Sequence, residues 1–269
     1  MRKLIIVLFV FTVFACKDNP QKEVVSKEAE IQEVTSTKSY PEALENVFAA
    51  HGGLKNWKSQ RTLSYEIPKT NLSELHTVDL WTRKDRVDTE KFSMGSNGEK
   101  VWLLDAGENY KGDAVFYHNL MFYFYAMPFV LADDGINYGE TNALVYDEKS
   151  YPGIRISYNS GVGTSPKDEY FIHFDPQTHK MAWLGYTVTY RTGEVSDNVK
   201  WIRYDDWQEI DGLTLPKSIT WHNYEGKQIL DARSTVNFEN VTLSKTAKPD
   251  GYYAKPDQAT FVEAKNSNQ

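Results

Sequence analysis

Carboxylates and histidines are the side chains that could do chemistry in this 269-residue chain, and their spacing decides how far that idea goes. Asp79, Asp85, Asp88 and Glu90 fall close together with Arg83 and Arg86 among them. Two carboxyl groups about 5–9.5 Å apart can cleave a glycosidic bond. Interleaved with arginines on neighbouring strands, the same residues read first as a solvated charge ladder on an exposed sheet face, which leaves a carboxylate hydrolase as the third choice. His173 and His179 flank one turn, but two histidines without a positioned carboxylate make a poor metal site. Asp205-Asp206 offers one acid pair where calcium takes about six to eight oxygens. The chain contains no Gly-x-Ser-x-Gly, His-Glu-x-x-His or Cys-x-x-Cys, and Gly161-Val162-Gly163 lacks the Lys-Ser/Thr that completes a phosphate loop. The expectation is a protein that is not an enzyme and uses no cofactor or metal.

Cys16, the single cysteine, suggests chemistry of another kind. Met1-Arg2-Lys3 is a short basic start, and Leu4 to Ala15 is apolar apart from Thr12. That is the layout of a secretory signal, too short for a stable span of a hydrocarbon core about 30 Å thick. A thiol directly after the apolar run, with a small residue before it, resembles the lipobox of bacterial lipoproteins, although Val13 and Phe14 are bulkier than is usual there. The resemblance implies cleavage before Cys16 and acylation of the new terminus; the plainer alternative is an ordinary signal that leaves a spare cysteine. Several acyl chains, each worth about 0.8 kcal/mol per buried CH₂, would hold the body on a membrane. The expected address is the bacterial cell envelope, as an outer-membrane lipoprotein facing periplasm or surface. Loss of Arg2 and Lys3 with the signal leaves 28 basic residues against 37 acidic ones, a net charge of −9. An acidic body argues against nucleic acid as a partner.

The elements that would position any site are mostly strands. From Asp168 to Arg191, Tyr170, Ile172 and Phe174 alternate with Phe171 and His173, Asp175-Pro176-Gln177-Thr178 turns the chain, and Met181 begins the return. Similar runs pass through Trp201, Tyr204 and Trp207, through Ile219 and Trp221, and through Ile229, Val236 and Phe238. Before them, Leu63 to Ile67, Leu75 to Arg83, Arg86 to Phe92 and Val101 to Asp105 are joined by short loops, so an antiparallel sheet is the economical arrangement. About eleven strands result. An amphipathic helix precedes them: Pro41 suits its start, Leu44, Val47, Phe48 and His51 share a face, and Gly52-Gly53 end it, with His51 expected as a cap. Residues 1–15 read as signal peptide, 16–39 as a flexible lipidated tether without aromatics, 40–245 as one domain and 246–269 as a surface tail.

Ala114 to Leu131 departs from the strand pattern. Its apolar residues cover every side of a helix, and Pro128 would kink or end it. Such a segment must be covered, as a core helix packed on the concave face of a twisted sheet or as a movable lid over an apolar cavity.

His51-Gly52-Gly53 with Trp57, then Asp175-Pro176-x-Thr178, Tyr204-Asp205-Asp206-Trp207 and Ile210-Asp211-Gly212-Leu213-x-Leu215-Pro216, together resemble the LolA and LolB type of outer-membrane lipoprotein-sorting proteins and the uncharacterised envelope lipoproteins that share their fold. The likeness runs from about Tyr40 to Asn240. It implies a mainly β (α+β) open half-barrel of about eleven antiparallel strands, its concave face closed by helices around an apolar pocket that in relatives holds acyl chains. The expected function is therefore a membrane-anchored, non-catalytic envelope lipoprotein that binds a lipid or other apolar small molecule. Trp102, Phe116, Phe122, Phe124, Met127 and Trp183, being large and apolar on the lid or on strands expected to face it, are the candidate ligand-binding residues. The alternative is a structural lipoprotein with a filled core that docks an envelope protein partner.

Overall fold

The computed structural model describes residues 38–159, 168–189 and 198–264. The signal sequence, Cys16, Gly161-Val162-Gly163 and Arg191 lie outside the described residues.

Helix α1 (Glu42–Ala50) starts where Pro41 offers its carbonyl to the backbone N–H groups of Leu44 and Glu45. Glu42 and Glu45 place negative charge in its first turn, the favourable end of the helix dipole. Leu44, Val47 and Phe48 form its buried stripe. Gly52 and Gly53 end it with φ of +96° and +88°, a left-handed backbone that costs glycine least. Helix α2 (Leu54–Ser59) follows at once and buries Trp57.

Strands β1 (Thr62–Ile67), β2 (Glu74–Asp79), β3 (Asp85–Asp88), β4 (Ser93–Ser96) and β5 (Val101–Leu104) form an antiparallel meander. After a helical segment come β6 (Ile136–Glu140), the small hairpin β7 (Leu144–Tyr146) and β8 (Lys149–Tyr151), and β9 (Gly153–Tyr158). The chain continues through β10 (Tyr170–Phe174), β11 (Met181–Tyr186), β12 (Lys200–Ile210), β13 (Leu213–Glu225), β14 (Gln228–Asn237), β15 (Glu239–Ser244) and β16 (Thr260–Phe261). Two seven-stranded sheets result, ordered β15-β1-β2-β3-β4-β5-β16 and β14-β13-β12-β11-β10-β9-β6. β14 and β15 are separated only by the buried Phe238, so one run of chain passes from the second sheet into the first. The sheets are not closed into a barrel. The described residues thus hold sixteen strands against the eleven or so expected: a strand is expected at Ala143 to Tyr146, where β7 lies, whereas β4, β6, β8 and β16 are too short to register in a period-two pattern and β15 runs on from β14 across Phe238.

The aromatic segment is not one helix. It breaks into α3 (Ala114–Tyr117), α4 (Leu120–Tyr125) and a 3₁₀ turn (Phe129–Ala132). Asp113 caps α3 by accepting the backbone N–H groups of Val115 and Phe116, Asn119 interrupts at φ −117° and ψ 0°, and Pro128 separates the last turn. Together with α1 and α2 these pieces cover the inner faces. Leu63, Tyr65 and Val78 of the first sheet and Ile156, Ile172, Leu184, Ile202 and Ile219 of the second meet them in one continuous core. Among the described residues no helix is long and apolar enough to cross a membrane.

Residues 246–264 pack on the first sheet. Tyr253 and Ala259 are buried, Trp102 donates its indole N–H to the Tyr253 carbonyl at 3.1 Å, and β16 pairs with β5.

Candidate functional site

A half-open cleft of about 420 Å³ lies between α2, the β2–β3 turn and the 3₁₀ turn with the residues after it. That volume is within the range of about 300–1,000 Å³ usual for small-molecule sites. Its apolar walls are Leu54, Trp57, Leu80, Phe129 and Ala132, and its charged rim is Lys58, Arg83, Asp133 and Asp134. Trp81 completes the lining and is 61% exposed.

The β2–β3 turn is built by Asp79. Its Oδ1 accepts the backbone N–H of Trp81 at 3.0 Å and of Thr82 at 2.9 Å, while Oδ2 accepts Arg61 Nε–H at 2.8 Å. Burial works against the charge, but the bonds from Thr82, Trp81 and Arg61 hold the carboxyl below the usual carboxylate range. Arg83 then adopts φ +58° and pairs with Asp133, and its guanidinium lies 5.2 Å from the Phe122 ring centre. The Trp81 indole N–H donates to the Lys58 carbonyl at 3.1 Å, which ties the turn to α2. Across the cleft Trp57 stacks on Phe129, with ring centres 4.8 Å apart and planes 8° from parallel. The wall is therefore rigid and continuous with the main core.

Beneath α3 and α4 lies a buried polar cluster. Tyr65 stacks on His76 at 4.9 Å, and His76 Nε2 bonds Glu74 at 3.1 Å. Glu74 also accepts Tyr117 Oη–H at 2.8 Å and pairs with Lys69. Burial alone would raise its pKa, yet hydrogen bonds from His76, Lys69 and Tyr117 bring it to about 2. His118, in the link between α3 and α4, bonds Asp85 Oδ2 at 2.7 Å. Burial pushes the Asp85 carboxyl up, and His118 opposes that only in part.

These contacts correct the expected charge ladder. Asp79 pairs with Arg61 and Asp88 with Arg86 on the side of the first sheet away from the helices, whereas Asp85 is buried on the helix side. Positions 85 and 88 differ by an odd number, so period-two alternation sends them to opposite faces. Asp205 pairs with Arg203, and Asp206 accepts Ser218 Oγ–H. His173 lies 5.8 Å from the Trp201 ring and bonds the Tyr151 carbonyl, while His179 sits beside Phe174. Among the described residues no three His, Cys, Asp or Glu side chains are placed to share a metal ion.

His51 does more than end α1. Its ring is fully buried; Nδ1–H donates to the Thr214 carbonyl at 2.9 Å, and Nε2 accepts the Met181 backbone N–H at 3.0 Å. Burial lowers its pKa to about 4, in keeping with a neutral ring. Thr214 N–H returns a bond to the His51 carbonyl, Asn56 reaches the Asp211 carbonyl, and Gly52 lies against the Gly212 backbone. The two glycine motifs of the sequence thus form one junction between α1–α2 and the β12–β13 turn.

Of the six candidate pocket residues, Phe122, Phe124 and Met127 come together in the inner core. Phe124 packs on Tyr186 and Trp221. Phe116 is half-buried on α3. The two tryptophans face the other way. Trp102 lies under the C-terminal segment beside Gly95 and Arg86, and Trp183 lies with Tyr151 and Trp201 under the β7–β8 hairpin, with Arg203 4.9 Å over its ring. Their size suggested the pocket, but alternation puts them outside, where other segments cover them. None of the six lines the cleft. The signal for the cleft was Trp81, a large aromatic in the polar stretch Trp81-Thr82-Arg83-Lys84.

A family model, DUF6503, described as a family of unknown function, matches residues 3–238. The chain belongs to that family. No curated protein matches its sequence. Among solved structures it is similar to a LolA superfamily protein from Nitrosomonas europaea, at 9% identity over 73% of this chain and 89% of that one, with a TM-score of 0.45. A DUF1329 family protein from Desulfovibrio piger matches at 10% identity over 78% and 95%, with a TM-score of 0.48. An outer-membrane lipoprotein-sorting protein domain from Vibrio parahaemolyticus matches at 8% over 74% and 93%, with a TM-score of 0.42. These are likenesses of fold.

Proposed function

We propose that this DUF6503 protein is a non-catalytic lipoprotein of the bacterial cell envelope, tethered to the outer membrane through acylated Cys16, whose body binds a lipid or other apolar ligand. The observation that carries this reading is the cleft: a gap of ligand size with a charged rim, backed by Trp57, Leu80 and Phe129 of the main core, which are buried behind it. Phe122, whose ring centre lies 5.2 Å from the Arg83 guanidinium at the rim, belongs with Phe124 and Met127 to a packed layer of short helical pieces. Such segmented, methionine-containing layers repack at low cost. The distribution of Asp79, Asp85 and Asp88 over two faces supports a binding role over acid–base hydrolysis.

Native mass spectrometry of the protein extracted gently from membranes tests the reading. Co-purifying lipid is expected, and its repeated absence, with no apolar probe taken up, refutes it. The intact mass of the membrane-extracted protein should correspond to a chain that begins at Cys16 and carries acyl groups; an unmodified Cys16 would refute the tether. The filled packing around Phe122 and Phe124 favours a second reading, a docking lipoprotein with a permanently closed core. It requires that apolar probes leave the tryptophan fluorescence unchanged.

A further inference from the structure

The β2–β3 turn is a ridge between two hollows. Leu80, Trp81 and Arg83 line the cleft of about 420 Å³, whereas Asp79, Thr82 and Lys84 line a second hollow of about 190 Å³ against the C-terminal segment. At the crest Trp81 is 61% exposed. Its indole is held outwards: the ring N–H donates to the Lys58 carbonyl at 3.1 Å, and the Arg61 guanidinium lies 4.5 Å from the ring centre. A tryptophan fixed in this way keeps apolar surface in water, at a cost that a partner covering it would remove. Cations stand on both sides of it. Lys58 lines the cleft, and Arg61, Lys84 and Lys248 line the second hollow. Of the acids there, Asp79 pairs with Arg61 and Asp133 with Arg83, and Asp134 and Asp250 are the other two. Lys58, Lys84 and Lys248 have no carboxylate partner among the described residues. The chain also enters the body beside this ridge. Described residues begin at Lys38, and Tyr40 donates its hydroxyl to the Ala132 carbonyl, 3.3 Å away in the lining of the cleft. Residues 16–37 therefore connect Cys16 to the end of the body that carries Trp81, and a chain of that length spans at most about 80 Å.

Resting on the acylated tether proposed above, we propose that the β2–β3 turn docks the body on a phospholipid bilayer, with the Trp81 indole among the headgroups and Lys58, Lys84 and Lys248 against lipid phosphates. Tryptophan and basic side chains are the residues that settle at a membrane–water interface. One indole and three lysines would hold a free protein only weakly. A body kept near the surface by its own anchor has a high effective concentration there, and weak contacts are then enough to fix its orientation. The anchor brings lipid to this end of the molecule, which is why a bilayer is the occupant assigned. The chain as a whole is acidic, so an anionic leaflet repels the body at large and leaves the lysine-flanked ridge as the end that approaches.

The test uses full-length protein extracted from membranes, its acyl groups verified by intact mass, and reconstituted into vesicles of phosphatidylcholine and phosphatidylglycerol. The phosphatidylcholine carries either no bromine or bromine, a quencher of indole emission, at the headgroup end of its acyl chains. Trp81 emission is read as the difference between the parent and Trp81→Ala. Brominated vesicles should remove most of that emission, and unbrominated ones should shield it from acrylamide. Trp81→Ala should lose the quenching with its circular dichroism spectrum unchanged. The double variant Lys84→Glu with Lys248→Glu retains Trp81 and should be quenched less than the parent, and added salt should act in the same direction because the lysines are at the surface. Equal quenching of the parent and Trp81→Ala, or none of either on acylated protein, overturns the docking and leaves the tether standing. A chain without acyl groups removes the tether and the docking with it. Shielding of Trp81 in native membranes but not in lipid vesicles assigns the turn to an envelope protein and overturns the bilayer as its partner.

Discussion

Replacing His51 with phenylalanine isolates a single buried imidazole as a source of stability and of its pH dependence. Phenylalanine retains a ring beside Trp207, whose centre lies 4.5 Å from that of His51. It removes both ring nitrogens, so the Thr214 carbonyl and the Met181 N–H lose their partners in the core. A buried polar backbone group left unpaired costs about 1–3 kcal/mol, and two give a loss of about 2–6 kcal/mol at neutral pH. The acid response follows from the lowered pKa, 6.5 to about 4. Between those values the unfolded chain takes up the proton and the folded one does not. Stability is therefore intact above pH 6.5 and is lost as the pH falls towards 4. Between pH 7 and pH 4.5 this residue accounts for about 2 kcal/mol of that loss. His173, also lowered to about 4 by burial, titrates in both proteins and cancels in the comparison. Urea unfolding followed by tryptophan fluorescence at the two pH values measures all of this, provided the m-value is unchanged. His51→Phe should be less stable at pH 7 and should lose about 2 kcal/mol less than the parent on acidification. An identical acid loss in both proteins, or no loss of stability at pH 7, would refute the reasoning.

Other substitutions test neighbouring contacts. Gly52→Ala puts a Cβ 2.1 Å from the Gly212 carbonyl oxygen at φ +96°, whereas at Gly53 a Cβ meets nothing within 4 Å; thermal melts should show Gly53→Ala costing about 1–2 kcal/mol for its φ alone and Gly52→Ala distinctly more. His118→Ala leaves the Asp85 carboxylate buried without its partner, for a loss of about 3–5 kcal/mol at neutral pH, and Asp85→Asn, which removes the charge, should cost less in the same melts. Trp81→Ala, at a side chain 61% exposed, should change the melting temperature little, so a large drop would assign Trp81 a structural role in place of a binding one.

Much of the architecture was legible because it is local. Tyr170, Ile172 and Phe174 alternate, Asp175-Pro176 turns the chain, and β10 and β11 pair across that turn. The stripe of Leu44, Val47 and Phe48 and the two glycines after it mark α1 with its end. The all-round apolar pattern of the aromatic segment marks it as covered and Pro128 marks one of its two breaks, but the break at Asn119 has no comparable local signal. The candidate site was less legible. Trp102 and Trp183 are large enough to suggest a pocket, but Val101 and Leu103 beside Trp102 give the alternation that sends it to the other face.

By itself the sequence determined the strands and turns, the first helix, the acidic balance and the apolar segment before Cys16, because each rests on residues within a few positions of one another. Tertiary structure alone decided the role of His51, whose two partners lie 163 and 130 positions away. It also decided the cleft, whose lining comes from α2, the β2–β3 turn and the residues before β6. Such neighbours are chosen by how curved sheets and short helices fill space together, and no local pattern in the chain encodes that choice.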